Sequence, residues 1–406
     1  MKLLLYFFIL PILLAAGCGS HAASPGMTDS DIVQNDTTQD KVPIFDGHIY
    51  LPVTIRDSVQ GKLLFDTGAA DLYLDSLFHV RNFPESSPTG KGAIGGAGNK
   101  MQIIRILMEP IAFTLPSGSY LSPKITPLLH LKEIMGRQAD GIVGQRFFKG
   151  KYIEINYPKG RFSVTDHPDT TGYRRLPLSF QKGYLFVQAT VKVSGKTIEG
   201  WFLLDTGSGG SATLTSTTAT KYDLTNAPGE KASYHNSQGG LGGTSDHTRI
   251  VAQEVILDTF RLKDIAISYS ADTSGALASK NHMGLIGNRA LNRFDVIIDL
   301  KYMNLFLRPN ADYGKPFKNY GHDILYVDRT DIYDGFVVTG MRIDGEAEKA
   351  GLKENDILVA IDSVPLKKLS RKEVNKLLND TEKIHVLSVL RNGETLELNY
   401  QSEQTL

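Results

Sequence analysis

Apolar residues along this chain fall in short runs, each closed by Gly, Asp, Asn or Pro, which is the pattern of strands joined by turns. Leu63-Leu64-Phe65 stops at Asp66-Thr67-Gly68, and Phe202-Leu203-Leu204 stops at Asp205-Thr206-Gly207. Further on, Ile155 and Phe162 flank a polar turn at Asn156, as Ile298 and Leu305 flank one at Asp299. Two Gly-rich stretches, 90–98 and 238–243, precede the apolar pairs Ile103-Ile104 and Ile250-Val251, and glycine between strand-like runs predicts hairpin tips. A different rhythm begins near His322. Gly335-Phe336-Val337-Val338 starts a strand, Ala347–Leu352 reads as a short helix stopped at Gly351, and Asp356–Ile361 is a strand again. Ser370 with Glu373 forms a capping box that opens a helix to Leu378, and Asn392-Gly393 turns a hairpin between 384–390 and 395–400. The pattern therefore predicts a mostly β chain up to Pro309 and a small α+β unit after it.

The β part repeats. Aligning Gly141-Ile142-Val143-Gly144 with Gly284-Leu285-Ile286-Gly287 gives an offset of 143 that holds without a gap to Val164 and Leu307 and sets Arg146 on Arg289. The Asp-Thr-Gly copies lie 139 apart, so 66–144 and 205–287 correspond with a small net difference in length. One copy would pass as a strand ending in a turn, whereas two copies in matching surroundings mark a duplicated unit.

Duplication gives the carboxylates their meaning. A carboxylate at the end of a buried strand loses hydration, and a second one beside it repels its charge, so such a pair holds one proton near neutral pH. One member then acts as base and the other as acid. The glycine after each Asp-Thr predicts a sharp turn with φ unrestricted, and the Thr hydroxyl both donates and accepts a hydrogen bond.

These residues resemble the aspartic proteases. Ala93-Ile94-Gly95-Gly96-Ala97-Gly98 resembles a retroviral-protease flap, Asp66-Thr67-Gly68-Ala69 and Asp205-Thr206-Gly207-Ser208 resemble its catalytic turns, and Val143-Gly144 and Ile286-Gly287-Asn288-Arg289 its closing motif. The resemblance covers roughly 46 to 309. It implies a two-lobed, pepsin-like acid-protease barrel on one chain, with retropepsin-like lobes at 46–168 and 169–312. It further implies Asp66 and Asp205 as the catalytic pair, with Thr67, Gly68, Thr206 and Gly207 supporting their loops and the Thr hydroxyls linking them. Ile94, Gly95, Gly96, Gly239, Gly240 and Leu241 would be flap residues over the substrate. Neither stretch carries the tyrosine that pepsin-like enzymes have on one flap; Tyr234 lies nearby but off the tip.

The unit at 322–402 resembles a bacterial PDZ domain in its element order, its Ala350-Gly351-Leu352 and its Asn355-Asp356-Ile357-Leu358. A PDZ domain takes an extended or C-terminal peptide as an added strand. The resemblance puts the peptide contacts at Gly335, Phe336 and Val337, with the helix from Ser370 as the other wall.

At the N-terminus, Lys2 precedes an apolar run from Leu3 to Leu14 and then Ala15-Ala16-Gly17-Cys18, too short for a mature membrane span. Residues 1–18 read as a signal peptide, and the small residues before Cys18 resemble a bacterial lipobox, implying lipid attachment at Cys18. Residues 19–45, polar and poor in apolar side chains, read as a tether. The expected location is the bacterial cell envelope, lipid-anchored on the membrane and facing the periplasm, since no acidic cluster follows Cys18.

Composition narrows the chemistry. Lys and Arg number 44 and Asp and Glu 44, so no net charge favours nucleic acid. Cys18 is the only cysteine, which excludes a disulfide within the chain and a cysteine metal cluster. The 10 histidines form no His-Glu-x-x-His pair and there is no Gly-x-Ser-x-Gly elbow, so neither a zinc protease nor a serine hydrolase is indicated. Ser208 and Ser211 lack a placed histidine and read as loop hydroxyls. Asp71 and Asp75 lie past the first turn, where they either shape a pocket or are solvated. The expectation is a monomeric endopeptidase acting on polypeptides with no cofactor or metal. Its rival is a catalytically silent, peptide-binding lipoprotein working through the PDZ domain.

Overall fold

The computed structural model describes residues 5–8, 40–41, 44–45, 47–95, 101–235 and 245–406, and the chain is mostly β. Each repeat opens with an antiparallel hairpin. In the first, His48–Ile55 pairs with Val59–Asp66, with Tyr50 opposite Leu64; in the second, Tyr184–Val193 pairs with Lys196–Leu204, with Phe186 opposite Leu203. The Asp-bearing strands read as unbroken apolar runs because both faces are covered: Leu63, Leu64 and Phe65 are at most 1% exposed.

Gly141–Gly144 lies parallel to Leu63–Asp66 and antiparallel to Leu72–Asp75, while Gly284–Ile286 lies parallel to Phe202–Leu204 and antiparallel to Ala212–Leu214. The last glycine of each Gly-x-x-Gly meets the loop that follows its own repeat's Asp. A Cβ on Gly144 would stand 2.3 Å from the Ala70 carbonyl carbon, and one on Gly287 2.5 Å from the Gly210 oxygen, so only glycine fits.

A shared sheet joins the repeats. Tyr152–Asn156 and Phe294–Asp299 pair antiparallel, with Glu154 opposite Ile297. Those two positions are equivalent under the offset of 143, so the repeat's two-fold axis passes between them. Arg161–Thr165 and Asn304–Pro309 flank this central pair, and Arg174–Gln181 adds beyond the latter. One continuous apolar core, including Phe65, Phe148, Phe202, Phe294 and Val296, runs through both repeats.

The C-terminal unit has its own core around Phe336, Leu358, Val374 and Leu387. The Ser370–Glu373 capping box is formed and starts the helix Arg371–Leu378. Asn392 and Gly393 have φ of 53° and 86°, the left-handed pair that an Asn-Gly hairpin turn needs. The short helix ends at Lys349, earlier than the sequence suggests, and the chain leaves it through Gly351 at φ 90°.

This unit touches both repeats. Arg137 donates its backbone N–H to Asp328 O at 2.8 Å and its Nε to Asp328 Oδ2 at 2.9 Å. On the other side Tyr234 and His235 pair with Arg342 and Met341, so the base of the second Gly-rich hairpin continues the C-terminal sheet. Among the described residues no helix is long and apolar enough to cross a membrane. Cys18 and most of 1–45 lie outside the described residues.

Candidate active site

Strand Val59–Asp66 and strand Lys196–Leu204 run toward each other across the two-fold axis, and each delivers a tight turn. Ala69 N–H bonds to Asp66 O at 3.2 Å, and Ser208 N–H to Asp205 O at 3.3 Å. Inside each turn the glycine amide holds its own carboxylate: Gly68 N–H donates to Asp66 Oδ1 at 2.7 Å, and Gly207 N–H to Asp205 Oδ1 at 2.9 Å. Neither glycine has a positive φ. What they supply is space, since a Cβ on Gly207 would come 2.4 Å from Asp66 Cγ and one on Gly68 2.9 Å from Asp205 Oδ1. Free φ, the expected reason for glycine here, is therefore corrected to close approach of the opposite carboxyl.

The threonines lock the turns together. Thr67 Oγ1 donates to Leu204 O at 2.6 Å and accepts from Thr206 N–H at 3.0 Å; Thr206 Oγ1 donates to Phe65 O at 3.0 Å and accepts from Thr67 N–H at 3.0 Å. Both side chains are fully buried. Each hydroxyl uses its single proton and one lone pair, so the four bonds form a closed, reciprocal set. Asn288, also fully buried, adds a bond from Nδ2 to Thr206 O at 2.6 Å and accepts from Tyr157 OH at 2.8 Å.

This frame sets Asp66 and Asp205 side by side: the Cβ position of Gly68 lies 3.0 Å from Asp66 Oδ1 and 2.9 Å from Asp205 Oδ1. Burial raises the pKa of Asp66 above the ordinary carboxylate range, and burial together with the charge of Asp66 raises Asp205 well above it. The amides of Gly68 and Gly207 pull the other way but do not reverse the direction. The pair thus retains a proton where isolated aspartates are ionised, and it titrates as a unit.

The two carboxyls look into a cavity of about 1660 Å³ lined by both repeats and by the C-terminal unit, including Tyr50, Tyr184, Leu277, Arg289, Tyr326 and Arg371. Among the described residues no group of His, Cys, Asp and Glu is placed to hold a metal ion. Two polar neighbours of the pair were not legible in sequence. His48 Nε2 lies 3.0 Å from Gly207 O, and Tyr184, whose hydroxyl pKa is driven up by burial and by the Asp66 charge, lines the cavity. Both stand two residues before the strand positions that face Leu64 and Leu203, so strand register is the signal that finds them.

Other expected positions fall differently. Ile94 is fully buried in an apolar cluster with Tyr50, Tyr73 and Leu131 and does not line the cavity; Gly95 closes the strand Gly90–Gly95. Gly96, Gly239, Gly240 and Leu241 lie outside the described residues. Tyr234 is buried under the Arg249 guanidinium, 4.3 Å from its ring centre, and its hydroxyl bonds to Leu406 O. Asp75 is not solvated: it caps the helix Ser76–Asn82 through Phe78 N–H at 2.8 Å and holds Lys132 N–H at 3.1 Å. Asp71 pairs with Arg146 at 2.8 Å.

The peptide contacts expected at Gly335, Phe336 and Val337 need correction. Phe336 is opposite both Asp328 and Leu358, and Val337 opposite both Val327 and Ile357, so this strand has neighbours on each side and no edge to offer. A Cβ on Gly335 would stand 2.6 Å from Leu358 O, and Phe336 belongs to the core. The strand that faces the cavity and the helix Arg371–Leu378 is Ile324–Asp328, where Tyr326 OH bonds Asn375 Oδ1 at 2.6 Å. Its outward carbonyls already receive Arg137 N–H at Asp328 and Arg371 Nη2, at 3.5 Å, on Tyr326.

No protein-family model matches the chain, and no curated protein matches it. Among solved structures the chain is similar to basic 7S globulin from soybean, at 10% sequence identity and a TM-score of 0.41, over 67% of this chain and 94% of that one.

Proposed function

We propose that the chain is an aspartic endopeptidase with two pepsin-like lobes and a C-terminal PDZ-like domain, and that Asp66 and Asp205 hydrolyse peptide bonds of an extended polypeptide in the cavity. The observation that carries this reading is the reciprocal threonine lattice, which holds the two carboxyls side by side on the cavity wall. A stability-driven design has no use for such a pair, because like charges in a dry site oppose each other. A peptidase does. The ionised member takes a proton from water as its oxygen attacks the peptide carbonyl, while the protonated member gives its proton to the carbonyl oxygen. When the C–N bond breaks, the carboxyl that took the proton from water gives it to the leaving amine, the other carboxylate takes a hydroxyl proton from the tetrahedral intermediate as its C=O re-forms, and the pair is again singly protonated. The chain reaches its substrate at a membrane surface if Cys18 carries the anchor that the leader implies.

The test is incubation of the full chain, released from its leader, with a library of peptides from a denatured proteome across acid to neutral pH, with and without pepstatin. New peptide ends that vanish with pepstatin support the reading. No cleavage at any pH by a chain shown to be folded refutes it.

A further inference from the structure

The two repeats differ at one charged position beside the Asp loops. In the first, Asp71 pairs with Arg146 at 2.8 Å. Arg289 is the equivalent of Arg146, and the hydrogen bonds set Ser211 where the first repeat has Asp71: Gly144 N–H bonds to Asp71 O as its equivalent Gly287 N–H bonds to Ser211 O, both at 3.0 Å. The arginine is kept and its carboxylate is gone. Arg289 Nη2 instead donates to the Lys318 carbonyl and lies 3.3 Å from Asn319 Oδ1, with the guanidinium 5.9 Å from the Phe317 ring centre. All three partners are neutral, and among the described residues no carboxylate pairs with Arg289.

Nor is the charge balanced from behind. Arg249 and Arg293 stand close enough that, with burial, they push the Arg289 pKa down. Arg249 is itself spent on Tyr234 and Leu406 O, and Arg293 stacks 4.0 Å over Phe317. Arg146 is largely exposed and does not border the cavity, whereas Arg289, Gly210 and Asn319 all line it. Two residues from Gly287, and bonded through its own N–H to Gly210 O at 3.0 Å, Arg289 is fixed beside the Asp205 loop. A half-buried guanidinium held by neutral acceptors favours a carboxylate brought in from outside.

We propose that Arg289 is a specificity-determining residue of the cleft, which receives a carboxylate of the bound polypeptide on the second-repeat side of the Asp pair. This inference rests on the peptidase reading for the identity of the ligand as a polypeptide, but not on its chemistry. Gly210, whose carbonyl accepts the Arg289 N–H, offers a control: a Cβ there meets nothing closer than Ser208 Oγ at 3.5 Å, so Gly210→Asp sets a competing carboxylate beside Arg289.

The experiment compares the parent chain, Arg289→Gln and Gly210→Asp on the same denatured-proteome peptide library, with amidated and free C-termini as separate arms. In the parent, Asp and Glu are enriched at one fixed distance from the cut, or, if the source is a chain end, free termini are preferred over amidated ones. That ratio falls about tenfold in both variants, the size expected for losing one charge-assisted contact. A ratio unchanged in Arg289→Gln, or a uniform fall in cleavage of all peptides, overturns the proposal and leaves Arg289 as a brace for 318–319. The second readout needs no chemistry: library peptides retained by immobilised Asp66→Asn protein are enriched in carboxylates, and Arg289→Gln removes the enrichment. Retention without cleavage by the parent takes down the peptidase reading alone; no enrichment in retained peptides takes down this one.

Discussion

Thr206→Val isolates the lattice that holds the Asp pair. Valine matches threonine in shape, so no cavity opens and the change reads hydrogen bonds only. Two bonds are lost, the donation to Phe65 O and the acceptance from Thr67 N–H, both 3.0 Å. Their partners are left in a dry interior, since Phe65 and Thr67 are fully buried. A buried group stripped of its partner costs about 1–3 kcal/mol, so the pair should cost about 2–6 kcal/mol. Thr206→Ser keeps the hydroxyl and loses only a methyl, at about 1 kcal/mol. Because the chain has separate cores, a global unfolding midpoint would mix them. The lone Trp201 solves this: it sits in strand Lys196–Leu204, just ahead of the second Asp loop, and its fluorescence in urea follows the core shared by the two repeats and not the C-terminal unit. Loss of less than about 1 kcal/mol in Thr206→Val, with Thr206→Ser no better, would falsify the view that the hydroxyls carry the frame.

Three further outcomes follow from the geometry. The Asp205 pKa is raised, so its folded form binds a proton more tightly than the unfolded chain and stability falls as pH climbs from the ordinary carboxylate range through the raised value; Asp205→Asn should therefore melt higher than the parent near neutral pH and no higher well below pH 4, read by calorimetry at both. Gly287→Ala forces a Cβ to within 2.5 Å of Gly210 O and should destabilise by about 3 kcal/mol, measured by Trp201 fluorescence, whereas Gly314→Ala, which meets no atom within 4 Å and has no positive φ, should disturb the site far less. Arg137→Ala removes the 2.9 Å ion pair to Asp328 from a half-exposed side chain, costing about 1 kcal/mol or less, and should speed hydrogen exchange at 324–328 without slowing any other segment.

How much the sequence tells depends on what a feature needs. Strand-type runs, the Ser370 capping box and the Asn392-Gly393 turn need only neighbours in sequence, and they are legible there. Ladder position is not. Gly335-Phe336-Val337 reads like an open edge, yet its neighbours come from 324–328 and from 357–358, which no local pattern announces. Glycine at 68 and 207 looks like a turn requirement, and the actual constraint comes from a carboxyl on the opposite repeat, 139 residues away. That Arg289 has lost the carboxylate Arg146 keeps is half visible in the aligned repeats, but the residue standing in the Asp71 place, Ser211, and the position of Arg289 on the cavity wall come only from the ladder and the cavity. Asp75 misleads for a simpler reason: an aspartate after an apolar run looks solvated until the amides of Phe78 and Lys132 are found around it.

The central claim is that Asp66 and Asp205 act as one proton-sharing unit, and kcat/KM of Asp66→Asn and Asp205→Asn against the parent, on one library peptide that the parent cleaves, tests it most directly. The account predicts that each variant, folded by Trp201 fluorescence, loses activity by more than about a thousandfold at every pH from acid to neutral. Cleavage by either variant within about tenfold of the parent would contradict it, because a shared proton cannot survive the loss of one of its two carboxyls.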